Sequence, residues 1–548
     1  MSLGFKGQLR HRYDVLVVGG GAAGLRAAIE AKECAPSLNV GVVAKAPIGQ
    51  ANNTYVSEGY LNTLNLAEGD TPEKLAADML KAGRGLNNRR LVEAFAARIS
   101  GIVEDLERLG VRFKRVGGKL DFLAIPGHTH PRSVFVPGKG RGLLNPLKAY
   151  ASRLGISFHE GIMVTRILKN GRRLAGCVGF DKTGFLHIFE AKSLILAAGG
   201  AGWIYWRTGN PGGMTGDGYV LALEAGLPLI DMEFIQFYPT YAFGRGLKTL
   251  LLYEKLLANG AVLRNRFGEN IPAKYGLSTV KGMTRDLFSR AIMLEILEGR
   301  GIEGLAILDL KGLDRLAVKE YLSTLESRGI RLGEQMLVSP AAHFTMGGIA
   351  VEELCQTLIE GLFAAGEVVG GLHGANRLGG NALSEAFIFG REAGRQASAY
   401  APEAPIVPPP IEEVEAEKAR LESLLNGKGE CEIPPLQRKL RETLWLKAGV
   451  VRSGEGLKEA LAFLSQLKGE LEELHVKDFH QLAMLLELEN MVKVGLMVVE
   501  SALRRKESRG AHQRIDCPEE KPDWRKNIII TLKNGELTFT EKPVEDKG

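Results

Sequence analysis

The stretch YDVLVVGGGAAG, residues 13–24, decides the fold class. Its first half is a short run of apolar and β-branched residues, which is typical of a buried strand. Its second half has the spacing G-x-G-x-x-G, and residues 22–31 then continue with a helix-forming pattern. A second strand is predicted at residues 39–43. The order strand, glycine turn, helix, strand predicts a parallel, doubly wound α/β sheet.

The three motif glycines predict a dinucleotide site in a Rossmann-like domain. Gly19 permits the tight turn, Gly21 lets the backbone approach a pyrophosphate, and Gly24 lets the helix pack on the strand. The first amides of the helix then face the phosphates. NAD-binding domains usually place an acid at the end of the second strand, where it binds the ribose, but here the strand ends at Lys45. The missing acid favours FAD over a nicotinamide cofactor.

Two further apolar runs, residues 193–198 and 362–365, also pass directly into glycine. Strands that end alike but lie far apart in the chain indicate one sheet assembled from distant segments. The sequence therefore predicts a discontinuous FAD-binding domain of residues 1–226 and 347–400. A separate unit of residues 227–346 is predicted to be inserted between them, because this segment has its own helical stretch and turn signals.

The composition changes after the predicted FAD-binding domain. The run APEAPIVPPP, residues 401–410, is expected to break every helix and to act as a stiff linker. Residues 411–510 are rich in Leu, Glu and Lys at helical spacing, which predicts a helical bundle. A small tail, residues 511–548, contains one strand-like run at residues 528–532.

Composition and charge exclude several classes of function. The 548 residues include 68 glycines, well above the usual share of about 7%. A net charge of +6 without a dense basic block argues against nucleic acid as a partner. The five cysteines are scattered without C-x-x-C, which excludes an iron–sulfur cluster of the usual spacing, and we predict no metal site. No apolar run reaches the roughly 18 residues of a membrane helix and no signal-peptide pattern is present, so we expect a soluble, cytoplasmic chain without a membrane span.

Several longer blocks point to one family. In chain order they are GGAG (199–202), TGDG (215–218), DMEFIQF (231–237), RD (285–286), PAAHFTMGGI (340–349), AGE (365–367), HGANRLGGNAL (373–383), GVVRS (449–453) and ESRGAH (507–512). Together they resemble the flavoprotein subunits of fumarate reductase and succinate dehydrogenase, and L-aspartate oxidase shares most of them. The resemblance covers nearly the whole chain, and it implies that residues 227–346 form an α+β capping domain that binds the substrate.

The resemblance implies an FAD-dependent oxidoreductase in which hydride passes between flavin N5 and one carbon of a dicarboxylate. It implies that the adenosine diphosphate end of FAD is held by Gly19, Gly21, Gly24 and Lys45. It implies that the remaining contacts come from Thr54, Gly59, Gly199, Asp217, Glu367, Asn381, Ala382 and Leu383. A helix that starts near Ala382 would point its amides at the flavin pyrimidine edge, where reduction places negative charge.

The resemblance also implies the catalytic residues. Arg285 matches the arginine that transfers the proton, and Glu254 matches its carboxylate relay partner. His343 and Arg377 match the ligands of the substrate carboxylates, and the arginine can offer a bidentate fork. Tyr238 stands where the family has a substrate histidine, and it can still donate one hydrogen bond.

Two departures bear on the chemistry. Asn53 stands where respiratory members carry the histidine that is covalently bonded to FAD, so we expect noncovalent FAD. Leu257 replaces the outer arginine of the proton relay, and Lys255 or Arg245 could substitute for it. The spacing between Tyr238 and Glu254 also differs from that of the respiratory members.

Three functions remain open at this point. The first is the flavoprotein subunit of a soluble fumarate reductase/succinate dehydrogenase-like complex, with electrons arriving from an iron–sulfur subunit that supplies the cluster this chain lacks. The second is L-aspartate oxidase, which reoxidises its flavin with oxygen or fumarate. The third is an FAD-binding subunit of a redox complex that has lost catalysis, and the retained Arg285 block argues against it.

Overall fold

A computed structural model gives the fold; it describes residues 4–243, 250–252, 254–277, 284–326, 330–425 and 432–544, without the side chains of residues 254, 255, 320 and 324. The strands are β1 Gly7–Val18, β2 Val40–Ala44, β3 Tyr60–Asn62, β4 Arg115–Val116, β5 Lys119–Leu120, β6 Ser133–Phe135, β7 Ser157–Glu160, β8 Ile162–Asn170, β9 Arg173–Asp181, β10 Phe185–Leu196, β11 Leu229–Ile230, β12 Ile235–Ala242, β13 Leu250–Leu251, β14 Val262–Arg264, β15 Ala306–Asp309, β16 Gln335–Thr345, β17 Gly348–Ile349, β18 Leu362–Ala364, β19 Lys526–Lys533 and β20 Glu536–Pro543. The helices are α1 Ala22–Cys34, α2 Asn53–Val56, α3 Pro72–Ala82, α4 Arg89–Arg98, α5 Ile102–Arg108, α6 Lys139–Arg153, α7 Asp217–Glu224, α8 Glu254–Ala258, α9 Ile271–Lys274, α10 Arg285–Leu297, α11 Lys319–Glu326, α12 Asn381–Glu403, α13 Ile411–Leu424, α14 Ile433–Lys447, α15 Gly454–Glu472 and α16 Phe479–Arg504.

The three strands that end in glycine lie side by side, as predicted. β1 pairs in parallel with β2 on one side and with β10 on the other, and β10 pairs in parallel with β18. β7 extends the sheet next to β2, while β8 and β9 add antiparallel strands beyond β10. The carboxyl ends of the parallel strands therefore meet at one edge, where the chain turns through glycine into the surrounding loops and helices. The predicted α/β fold with a parallel sheet is confirmed.

The glycine turn after β1 is fixed by close backbone contacts. A Cβ atom on Gly24 would lie 1.9 Å from the carbonyl oxygen of Gly19, so α1 can approach the turn only because residue 24 has no side chain. Gly19 itself has φ +124°, a conformation that favours glycine. These contacts give the first and third motif glycines the packing roles that the spacing predicts.

A second sheet lies in the predicted capping region, in the strand order β13-β12-β16-β15-β14. Helix α10 packs against β12 and β16, and a separate apolar core fills this region. A third sheet, in the order β17-β11-β19-β20, joins strands from both sides of the predicted boundaries to the C-terminal hairpin. The domain boundaries given above stay a prediction.

The chain after residue 403 folds mainly as the helices α13 to α16, which confirms the predicted helical C-terminal region. The prediction that residues 401–410 break every helix is wrong at its start, because α12 continues through Ala401 and Pro402 to Glu403. Ala401 is fully buried against the core of the parallel sheet. A proline in the last turn removes only one backbone hydrogen bond, and this packing offsets that loss. Among the described residues, no helix combines the length and the apolarity needed to cross a membrane.

Candidate active site

One cavity of ≈ 2060 Å³ runs from the glycine turn after β1 to the inner face of the capping sheet. Most of the predicted site residues line it: Gly19, Gly21, Lys45, Asn53, Thr54, Gly59, Gly199, Asp217, Tyr238, Arg285, His343, Glu367, Arg377, Ala382 and Leu383. The structure therefore brings residues that are up to 364 positions apart in sequence to one continuous space.

Three predicted residues differ from the rest. Gly24 lies behind the turn, where it packs against Gly19. Asn381 is fully buried behind the cavity wall, and its Oδ1 accepts a hydrogen bond from Asn62 Nδ2 at 2.7 Å. The Glu254 side chain is outside the described residues, as are Arg245 and the side chain of Lys255, so the relay stays a prediction.

At one end of the cavity, Lys45 follows the last residue of β2. Its Nζ lies 2.6 Å from Asp217 Oδ2 and 2.7 Å from Glu487 Oε1, and it donates to Thr215 Oγ1 at 3.0 Å. Asp217 also accepts from Asn490 Nδ2 at 3.0 Å. Desolvation is the largest single influence and raises the pKa of the Asp217 carboxyl, but the Lys45 ammonium and these hydrogen bonds together lower it below its usual value. Asp217 thus lies with Lys45 at the same end, although the resemblance assigned them to different halves of FAD.

In the middle of the cavity, Glu367 receives two hydrogen bonds. Asn53 Nδ2 donates to its Oε2 at 2.7 Å, and the backbone amide of Thr345 donates to its Oε1 at 3.1 Å. Burial raises the pKa of Glu367 to about 7, and the two donors only partly oppose this shift. Nearby, the Thr54 hydroxyl accepts from the amide of Ala22, the first residue of α1.

The N-terminus of α12 forms another part of the cavity wall. Gly380, which precedes the helix, has φ +81°, and a Cβ atom there would lie 2.1 Å from Asn62 Oδ1. The turn therefore requires glycine, and it places Ala382 and Leu383 at the cavity with the helix start exposed to it. The first amides of a helix have no partner within the helix, so this end favours a ligand group that carries negative charge.

At the other end, two arginines share one acceptor. Arg377 Nη2 donates to Gln236 Oε1 at 2.7 Å, and Arg285 Nη1 donates to the same oxygen at 3.4 Å. The Arg377 guanidinium also lies over the Phe344 ring, 4.5 Å from its centroid, and its buried Nε has no hydrogen-bond partner within the described part of the chain. Burial, together with the nearby charge of Arg285, lowers the pKa of Arg377 to about 9. At pH 7 this end of the cavity is therefore cationic.

His343 completes the cationic end. Tyr241 Oη and His343 Nδ1 are 3.1 Å apart, and the ring centroids of Tyr238 and His343 are 5.5 Å apart. The Arg285 guanidinium lies over the Tyr238 ring at 4.8 Å from its centroid. Burial and then the two arginines lower the pKa of His343 well below its usual value, so the ring is neutral at pH 7. A neutral imidazole offers one donor and one acceptor.

Two matches to known protein families agree with this geometry. Residues 14–383 match the family described as FAD binding domain, and residues 437–548 match the family described as fumarate reductase flavoprotein C-term. The chain belongs to this flavoprotein family. It is an FAD-dependent oxidoreductase of the fumarate reductase/succinate dehydrogenase type, which confirms the resemblance drawn from its motifs.

The similar proteins span almost the same length as this chain. The homologous polypeptide of fumarate reductase (CoM/CoB) from Methanothermobacter marburgensis is 36% identical, covering 95% of this chain and 97% of that protein. An uncharacterized FAD-dependent oxidoreductase from Methanocaldococcus jannaschii is 37% identical, covering 94% and 96%. Among solved structures, E. coli quinol fumarate reductase superposes with a TM-score of 0.89 at 29% identity, covering 98% and 97%.

The flavoprotein cavity fits the cofactor that the family binds. The glycine turn presents bare backbone, two helix starts face the space, and the cationic end keeps the buried Nε of Arg377 without a partner among the described residues. These are the features that bind a pyrophosphate, a flavin that gains negative charge on reduction, and an acidic substrate. The residues present therefore suit FAD together with a small anion.

Sequence reasoning missed two residues at the cationic end of this site. Gln236 lies inside a quoted motif, but only the structure shows that its side chain holds both arginines. Tyr241 was missed because Tyr238 and Tyr241 would point to opposite faces of a regular strand. β12 contains a register shift between these two tyrosines, and Pro239 lies within it. The irregularity brings both rings next to His343, and the proline was the available signal.

Proposed function

We propose that the chain is the flavoprotein subunit of a fumarate reductase/succinate dehydrogenase-like complex that interconverts an unsaturated and a saturated dicarboxylate. The observation that carries this proposal is the shared contact of Arg285 and Arg377 with Gln236, in the same cavity as the glycine turn. Two guanidinium groups held by one neutral amide suit a substrate that brings its own negative charge. FAD bound in the cavity would supply the hydride chemistry.

Arg377 and His343 are assigned to the substrate carboxylates. Arg377 is held by Gln236 and by the Phe344 ring, so its fork is oriented before the substrate binds. In this assignment, His343 Nδ1 accepts a hydrogen bond from the Tyr241 hydroxyl. The ring hydrogen then lies on Nε2, which is left as a hydrogen-bond donor. A neutral donor beside a charged fork lets the pocket bind a carboxylate without a third positive charge.

Arg285 is assigned to the proton. It lies at the start of α10, its guanidinium covers the Tyr238 ring, and Gln236 fixes one of its nitrogens. An arginine holds its proton strongly in water, so transfer requires a carboxylate partner. Glu254 is the proposed carboxylate.

We propose that FAD is held without a covalent bond. Asn53, at the position of the family's linking histidine, donates its amide to Glu367, and an amide nitrogen of this kind forms no flavin bond. Denaturation with acid should therefore release all the flavin into the supernatant. Yellow colour that stays with the precipitated chain would refute this assignment.

We propose an iron–sulfur subunit as the electron partner. Two relatives are named as subunits of larger enzymes, one of fumarate reductase (CoM/CoB) and one of 8-methylmenaquinol:fumarate reductase. Purification of the chain from its native cell under mild conditions tests this partner, since the complex should contain iron and acid-labile sulfide. Isolation of an active chain that never carries iron would contradict it.

The reaction is tested with purified protein. Oxidation of a reduced dye by fumarate supports the proposal. Peroxide production from L-aspartate would instead support the second candidate, L-aspartate oxidase. This candidate is tested because the chain is 29% identical to L-aspartate oxidase of Synechocystis over 95% of its length. Protein that binds FAD and is silent in both assays would refute the proposal in favour of a non-catalytic subunit.

A further inference from the structure

The C-terminal helix α16 forms one wall of the cavity. The residues of this helix that line it recur on one helical face: Phe479, His480, Ala483, Met484 and Glu487. The cavity wall also includes Glu160, Met163, Val164 and Phe180, which lie on β7, β8 and β9 of the main sheet. The cavity therefore extends beyond the Rossmann-like sheet to a helix that lies in the predicted helical bundle.

Glu487 is the polar end of this face. Its Oε1 lies 2.7 Å from Lys45 Nζ, its side chain is 23% exposed, and it lines the cavity. Within the described part of the chain, no donor reaches its second carboxylate oxygen. Asn490, one turn further along α16, fixes Asp217 by a hydrogen bond of 3.0 Å. Helix α16 thus contributes two residues to this end of the cavity: the carboxylate of Glu487, and Asn490, which orients the nearby Asp217.

The position of Lys45 decides what this carboxylate faces. In a dinucleotide-binding sheet the glycine turn after the first strand receives the pyrophosphate, and the end of the second strand receives the ribose of the adenosine. β2 ends at Ala44, and Lys45 follows it. Other proteins bind the ribose with an acid at this place, because a carboxylate accepts hydrogen bonds from both ribose hydroxyls.

We propose that Glu487 supplies this missing acid and accepts the hydroxyl groups of the adenosine ribose of FAD. Lys45 holds one of its oxygens, and the other is left for the sugar. Lys45 together with Asp217 and Glu487 carries a net charge of −1, which suits neutral hydroxyl donors and disfavours a phosphate on the ribose. The cofactor site is then completed by the C-terminal helix. This inference rests on FAD binding and is independent of the dicarboxylate reaction proposed above.

The ribose contact is tested by removing the hydroxyls one at a time from the ligand. The probes are ADP, 2′-deoxy-ADP and 3′-deoxy-ADP, titrated by calorimetry into the full chain after its flavin has been removed. A hydrogen bond to a charged acceptor predicts that at least one deoxy analogue binds about 10- to 100-fold more weakly than ADP. Equal binding of the three nucleotides by the unchanged protein would overturn the proposal without any variant.

The same titrations with E487Q assign the effect to this residue. Replacement of the charged acceptor by a neutral one should reduce the preference for ADP by about 10-fold. A loss of affinity that is the same for all three nucleotides would overturn the proposal, since Glu487 would then act only by holding Lys45. E489Q is the matched control, because Glu489 lies two residues along α16, lines no part of the cavity and pairs with Arg420. Loss of the ADP preference in E489Q as well would also overturn it.

These outcomes are distinguishable from failure of the proposed reaction. Fumarate-dependent dye oxidation by the unchanged, FAD-loaded protein does not depend on which residue binds the ribose. A protein that reduces fumarate yet shows no preference for ADP refutes the ribose contact alone.

Discussion

The substitution Gln236→Glu tests the cationic end of the cavity most directly. Gln236 is buried, and its Oε1 accepts from both Arg377 and Arg285. Its Nε2 donates to Asn376 Oδ1 at 3.1 Å and to the carbonyl oxygen of Arg377 at 2.8 Å. A glutamate has the same shape and keeps the acceptor, but it loses these two donated hydrogen bonds and adds a negative charge between the two guanidinium groups.

The added charge has a calculable cost for substrate binding. At about 6 Å from a substrate carboxylate and an effective dielectric constant of about 20, the repulsion is about 3 kcal/mol, which raises KM about 100-fold. The new carboxylate should also raise the pKa of Arg377, which in the unchanged protein lies at about 9. Arg377 is charged below its pKa, so the unchanged enzyme should lose substrate affinity as the pH rises through about 9, and Gln236→Glu should shift this loss to higher pH.

The assay is dye-linked fumarate reduction, with KM measured from pH 7 to pH 10. Gln335→Glu is the matched control, because it introduces the same charge on the same sheet at an exposed position of β16. Circular dichroism confirms that each variant is folded. A folded Gln236→Glu protein with a KM within about threefold of the control at pH 7 would show that the two arginines do not bind the substrate.

Three further substitutions test other parts of the structure. Arg285→Lys should lower dye-linked turnover by about 10²- to 10⁴-fold while the flavin absorbance per chain stays unchanged, and unimpaired turnover would exclude a proton-transfer role. Gly24→Ala should lower the stability by about 1–3 kcal/mol and reduce the amount of bound flavin, because the new Cβ would lie 1.9 Å from the carbonyl oxygen of Gly19. A thermal midpoint equal to that of the unchanged protein would contradict this reasoning. The pKa of His11 is lowered to about 4 by burial and by His159 and His187. The unfolded state therefore takes up this proton first, and the stability should fall as the pH decreases from about 6.5 to about 4. His11→Phe should flatten this pH dependence of the urea midpoint, and an unchanged slope would exclude His11 as the cause.

The parallel sheet could be predicted because its signals are local. Strand residues and the glycine that follows them are adjacent in sequence, and backbone geometry alone requires glycine at the turn. The same holds for the positive φ of Gly380 before α12. However, local sequence signals do not show whether a helix-breaking residue or the packing of the surrounding helix will prevail. Pro402 carries a breaking signal, yet the buried face around Ala401 keeps the helix intact to Glu403.

The cavity residues likewise fall into two groups, those that a sequence motif indicates and those that only tertiary packing brings to the cavity. Arg285, His343 and Arg377 could be named because they lie in recognisable blocks, and the structure brings all three to one end of the cavity. Glu487 gave no comparable signal, because the leucine-rich pattern around it indicates only a helix. Its importance depends on where α16 packs, 442 residues after Lys45, and no sequence spacing encodes that contact.

The distribution of charge along the cavity follows from which of these residues are neutral. At the Lys45 end, two carboxylates surround one ammonium group, so hydroxyl donors are favoured there. At the other end, Gln236 accepts hydrogen bonds from both guanidinium groups, and Tyr241 pairs with a neutral His343. None of these three side chains cancels the positive charge of the arginines. Two neighbouring guanidinium groups are unfavourable until an anion enters, because like charges repel, and burial together with the charge of Arg285 lowers the pKa of Arg377. The proposed dicarboxylate substrate would relieve that repulsion, so the interactions that bind it would also set its orientation relative to the glycine turn.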